Sequence, residues 1–85
     1  MPLRLQTAWR GGFETRPGFW LVFAFTGSFQ DDIDTLKATV PPGERTYDED
    51  AHAWWISDAW VGEITRLVPS LEAHIRQRAL PGLEA

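Results

Sequence analysis

Glu44-Arg45-Thr46-Tyr47-Asp48-Glu49-Asp50-Ala51-His52-Ala53-Trp54-Trp55-Ile56-Ser57 begins just after a hard break at Pro41-Pro42-Gly43. Two short β-forming runs, Arg45–Tyr47 and Ala53–Ile56, flank the acidic turn Asp48-Glu49-Asp50. This pattern predicts a β-hairpin whose second strand carries Trp54 and Trp55. Neighbours on a strand point to opposite faces. One of the two tryptophans is therefore expected in the core and the other on the second face of a sheet.

Upstream of the hairpin, Phe19-Trp20-Leu21-Val22-Phe23-Ala24-Phe25 is the most apolar run in the chain. Its aromatic and β-branched residues predict a central strand. Phe19, Leu21, Phe23 and Phe25 would form the core face, with Trp20, Val22, Ala24 and Thr26 opposite. Before it, Leu3, Leu5, Thr7 and Trp9 alternate with Arg4, Gln6, Ala8 and Arg10, the period of a half-buried strand. Gly11-Gly12 ends that strand or turns it. Pro17-Gly18 interrupts the chain again, so the Phe13 segment belongs to a hairpin or a bulged edge.

Between the central strand and the hairpin lies a short amphipathic helix, about Asp32 to Thr39. Ile33, Leu36, Lys37 and Val40 give it its amphipathic spacing. Asp31 is the expected N-cap, and Asp32 and Asp34 suit the positive end of the helix dipole. Proline cannot continue the hydrogen-bond ladder, so Pro41-Pro42-Gly43 stops the helix. After the hairpin, Ser57 is the expected N-cap of a second helix. Trp60, Ile64, Leu67, Val68, Leu71 and Ile75 recur at spacings of three and four. Pro69 falls within this stripe. The helix either kinks there or ends near Leu67, with a new helix starting at Pro69. Arg76 and Arg78 suit its C-terminal end, and a frayed tail is expected over 81–85.

The order is ββαββα. It predicts one α+β domain over residues 1–80, with a four-stranded, mostly antiparallel sheet. Each helix has a single apolar stripe, so both are expected on one sheet face. The other face is then left to solvent unless a partner covers it.

Eighty-five residues bury a modest core, and the chain has no cysteine to brace it. Five Trp, five Phe and one Tyr therefore imply either a heavily aromatic core or an aromatic surface kept for a partner. The net charge of −4 argues against a general binder of phosphate backbones. Arg4, Arg10 and Arg16 make the first part locally basic, and an acidic middle runs from Asp31 to Asp58. No stretch approaches a membrane span, Arg4 and Arg10 interrupt any signal-peptide core, and no lipidation motif is present. A soluble, cytoplasmic protein without a membrane partner is the simplest expectation.

Catalytic signatures are absent from the sequence, and the chain is not expected to be an enzyme. Ser28, Ser57 and Ser70 sit in no nucleophile elbow, and the glycines form no phosphate loop. Asp48, Glu49, Asp50 and His52 are the one group with metal-ligand types, but an Asp-rich turn bonding its own backbone accounts for them. His52 and His74 are expected as surface histidines. No metal or cofactor is expected.

The binding candidates are Trp20, Arg45, Tyr47, Trp54 and Trp55. Trp20 and one hairpin tryptophan on the second face, with Arg45 nearby, would form an aromatic platform. Trp, Tyr and Arg are favoured anchors in protein interfaces. The same platform could stack single-stranded bases, at about 1–3 kcal/mol per base. Full packing of these aromatics within the fold is the third possibility. A homodimer through the open sheet face fits such a patch.

Pro42-Gly43-Glu44-Arg45-Thr46-Tyr47-Asp48, followed by Trp54-Trp55-Ile56 and a final helix, resembles the HARP-type accessory module of annealing helicases and other Swi/Snf-type ATPases. The likeness covers roughly Phe19 to Leu71. It implies an accessory module that helps a motor recognise DNA structure, which sets the aromatic surface beside DNA-processing machinery. A protein partner or a second copy is the first expectation, from the aromatic patch and the negative charge. Single-stranded or junction DNA bound by Arg45, Tyr47 and an exposed hairpin tryptophan is the alternative. The hairpin here is acidic, whereas the family's is basic.

Overall fold

The computed structural model describes residues 4–25, 27 and 29–76. Leu3, Thr26, Ser28, Arg78 and the tail expected over 81–85 lie outside the described residues. The chain forms β1 (Leu5–Arg10), β2 (Gly18–Phe23), α1 (Phe29–Thr39), a 3-10 turn (Pro42–Glu44), β3 (Arg45–Asp48), β4 (Ala53–Ser57), a second 3-10 turn (Asp58–Trp60) and α2 (Val61–Leu67). Residues 71–76 are again helical. The sheet order is β1-β2-β4-β3, and every pairing is antiparallel. The α+β plan with a four-stranded sheet is thus the observed one. No helix among the described residues is long and apolar enough to cross a membrane.

Register assigns the faces, because residues directly opposite in an antiparallel pair share one side. Phe19 faces Ile56, and Leu21 faces both Ala8 and Trp54. Phe19, Leu21, Phe23, Ala8 and Ile56 are buried in one cluster with Leu36 and Val40 of the α1 segment and with Ile64, Val68 and Leu71. The helices therefore cover this side of the sheet. Fully burying one such side chain contributes about 1.5–3 kcal/mol.

Local differences from the expected elements each have a cause. The register shifts between Leu5 and Thr7, so Leu5 pairs with Phe23 on the helix side while Thr7 and Trp9 face away. This bulge breaks the simple alternation expected of β1. The β2 strand stops at Phe23, and Phe25 is 90% exposed rather than part of the core. The α1 helix begins at Phe29, ahead of the expected start. Phe29 packs against the core and its ring meets Phe25 edge-on at 5.3 Å, which accounts for the earlier start. Asp31 is consequently a first-turn residue and not the N-cap.

At the other end, Ser57 caps the 3-10 turn Asp58–Trp60 and not α2 itself, its Oγ accepting from Ala59 N–H at 3.4 Å. That turn intervenes and leaves Trp60 at the N-cap of α2. The α2 helix ends at Leu67. Val68 takes φ −133° and ψ 83°, outside the helical region. A residue before proline is pushed out of the α region, so Pro69 divides the second helical stripe in two. The pieces still bury Ile64, Val68 and Leu71 side by side.

Candidate functional site

Trp9, Trp20 and Trp55 lie in a row across the sheet face away from the helices, since Trp20 pairs with both Trp9 and Trp55. The Trp9 and Trp20 rings stack at 6.3 Å. The loop between β1 and β2 folds onto this row. Phe13 and Arg16 exchange backbone hydrogen bonds at 3.0 Å, making a small hairpin with Glu14 at φ 56°. The Phe13 ring lies 5.6 Å from Trp55 and 6.4 Å from Trp20. The Arg16 guanidinium sits 5.2 Å over Trp55. Arg16 also donates to Glu44 Oε2 at 2.6 Å and to the Gly43 carbonyl at 2.8 Å. Trp55 is 1% exposed as a result. The second sheet face is thus partly sealed by the chain's own loop.

Trp54 points to the helix side, opposite Leu21 and Tyr47. The expectation of one buried and one outer hairpin tryptophan is met with an inversion. The fully buried ring is on the face without helices, and the half-buried ring is on the helix side. Arg45 pairs with Ile56 and also lies on the helix side, so it accompanies Trp54 and not Trp20. The expected platform is therefore divided by the sheet. Trp20 and Trp55 are together on one side, and Arg45, Tyr47 and Trp54 on the other.

The second group borders a groove. Beyond the end of β2, Phe23, Phe25, Phe29, Tyr47, His52 and Trp54 line a space of about 390 Å³, with Gln6 and Val22. Its walls are chiefly aromatic, and it lies within the size range of small-ligand and side-chain pockets. Tyr47 and Trp54 rings are 5.0 Å apart. Tyr47 Oη approaches His52 Nδ1 at 3.4 Å. Tyr47 is 43% exposed, and Phe25 is almost wholly so.

The charges near Trp54 are ordered along the hairpin. Lys37 Nζ lies 5.8 Å and Arg45 Cζ 6.0 Å from the Trp54 ring centre. Arg45 Nε donates to the Val40 carbonyl at 2.9 Å, which holds that guanidinium in place. In the other direction along β3 is the turn, where Asp48 Oδ1 accepts from Asp50 N–H at 3.0 Å. This is the Asx-type bond expected of an Asp-rich turn. His52 closes the turn at φ 52°, a left-handed conformation that glycine would adopt more easily. Among the described residues, no group of three or more His, Cys, Asp or Glu could hold a metal ion.

Phe25, Phe29 and His52 were not among the binding candidates read from the sequence, where His52 was weighed only as a metal-ligand type and expected at the surface. Phe25 continues the period-two pattern of β2, and only the early end of the strand releases it. Phe29 lies upstream of the expected helix start. No protein-family model, curated protein or solved structure matches the chain.

Proposed function

We propose that this chain is a small non-catalytic binding module that holds another protein chain in the groove of Phe23, Phe25, Phe29, Tyr47 and Trp54. The observation that carries it is Phe25, 90% exposed at the edge of an aromatic groove. A single exposed ring is ordinary, but Phe25 adjoins exposed Tyr47 across an aromatic groove, and contiguous apolar patches of this kind mark interaction sites. Tyr47, Trp54 and Arg45 are also the residue types that dominate binding energy in protein interfaces. A setting beside DNA-processing machinery rests on the HARP-type resemblance alone.

Direct binding of single-stranded or junction DNA is the second reading. Lys37 and Arg45 beside Trp54 favour it, since cations next to a stacking ring suit a nucleotide. The net charge of −4 and the acidic turn oppose it. So does the engagement of Arg45 with Val40.

Selection of displayed peptides against the chain, with parallel titrations of single-stranded and forked oligonucleotides, separates the two. The module reading predicts apolar peptides whose affinity changes little with salt and falls at least tenfold in Tyr47→Ala, as expected for an interface anchor. Oligonucleotide binding that weakens steeply with salt, without any peptide binder, would promote the DNA reading instead.

A further inference from the structure

Phe25 and the groove are a knob and a hole on the same surface. The knob belongs to a chain segment that leaves 90% of it uncovered. The hole it borders, about 390 Å³, is walled on the other sides chiefly by Phe29, Tyr47 and Trp54. A surface carrying both parts is self-complementary, and the symmetric way to satisfy it is a two-fold exchange between two identical chains. We infer that the occupant of the groove is the Phe25 side chain of a second copy, given reciprocally. This inference rests on the module reading above and names its partner.

Charge points the same way. Arg45 precedes Tyr47 by two residues on β3, and Glu49 and Asp50 follow it in the turn. Arg45 and the acidic turn therefore lie in opposite directions from Tyr47 along the hairpin, and Lys37 of α1 reaches the Trp54 ring between them. A two-fold axis perpendicular to β3 reverses the second hairpin. It brings the acidic turn of each chain toward Lys37 and Arg45 of the other. Like-charge ends would meet in a same-direction pairing, which disfavours that alternative. Among the described residues the opposite sheet face presents no comparable knob, because its loop already places Phe13 against Trp55 and Trp20.

Sedimentation equilibrium of the full chain, up to millimolar concentration, tests the exchange. The wild type is expected to form dimers. Phe25→Ala, which within its own chain gives up an edge contact with Phe29, should weaken them at least tenfold, the loss typical of a central aromatic anchor. An unchanged far-UV circular dichroism spectrum shows that α1 is kept in this variant. Lys37→Glu and Asp50→Lys should each weaken self-association. An equimolar mixture of these two variants should dimerise more tightly than either alone, because both cross-chain pairs are then restored. A monomeric wild type, a dimer indifferent to Phe25→Ala, or a mixture no tighter than its components each overturns the proposal. A monomer that still binds selected peptides at Tyr47 and Trp54 overturns only the second copy as occupant. A chain that neither dimerises nor binds peptides overturns the module reading as well.

Discussion

Gly18 sits where β2 passes Trp55, and its missing side chain is what lets the two meet. An added Cβ would fall on the Ile56 carbonyl oxygen and on Trp55 Nε1. The carbonyl is backbone and Trp55 is fully buried, so neither can withdraw cheaply. Gly18→Ala should therefore destabilise the fold by about 2–3 kcal/mol, the upper part of the usual range for overpacking. A urea titration checks this. A loss below 0.5 kcal/mol (on the order of an ordinary surface substitution) would contradict the packing. Glu44 offers a second residue-scale test. The hydrogen bond from Arg16 holds its carboxyl below the ordinary value, reinforced by the side chains of Ser57 and Trp60. A carboxyl with a lowered folded-state value stabilises above its unfolded value and loses that contribution as pH falls through the folded one. The stability difference between wild type and Glu44→Gln should thus be greatest near neutral pH. It should shrink as pH drops below about 4.5, the ordinary carboxyl value. Melting curves from pH 7 down to pH 3 would show the convergence, and a difference constant with pH would remove the charged contact with Arg16.

Elements show most clearly what periodicity conveys and what it leaves out. The central strand and the helix stop at Pro41-Pro42 follow from rules that act over a few residues, and these were legible. Ser57 was legible as a cap, but not that a 3-10 turn would stand between it and α2. The division of the last helical stripe at Pro69 was one of two outcomes the proline allowed, and Val68 decided it by leaving the helical region. The bulge between Leu5 and Thr7 was not legible, because nothing local marks the extra residue and it only serves to match β1 to β2. The loop over Trp55 was hidden for the same reason. Gly11-Gly12 and Pro17-Gly18 announced turns, but not that Phe13 and Arg16 would fold back onto the sheet. That fold-back has a measurable consequence. Phe13→Ala should cost about 1–2 kcal/mol, less than a fully buried phenylalanine because Phe13 is half-buried. It should also shift tryptophan emission to longer wavelength as Trp55 gains water. Unchanged emission and stability would mean that the loop does not seal this face.

At the scale of the whole molecule, the two sheet faces have been given different fates. One packs the helices and ends in the aromatic groove, and the other is partly closed by the β1–β2 loop. The composition made an aromatic surface foreseeable, and Tyr47 and Trp54 were legible as members of it. Their separation from Trp20 and Trp55 was not, since alternation says that Trp54 and Trp55 diverge but not which one meets the helices. The register with β2 settles that point, and register depends on the entire sheet. The tryptophans consequently report on separate places: Trp9 and Trp20 on the loop-side face, Trp55 beneath the loop, and Trp54 in the groove.

Their indole N–H signals in a nitrogen-15 NMR spectrum give the most direct test of the proposed groove as a binding site. The signals would be followed as the protein is concentrated, and again as a selected peptide is added. The groove account predicts that the Trp54 indole moves together with the Tyr47 and His52 amides, while Trp9 and Trp20 stay in place. Movement of Trp9 and Trp20 with a stationary Trp54 would place the interaction on the opposite sheet face and contradict the account.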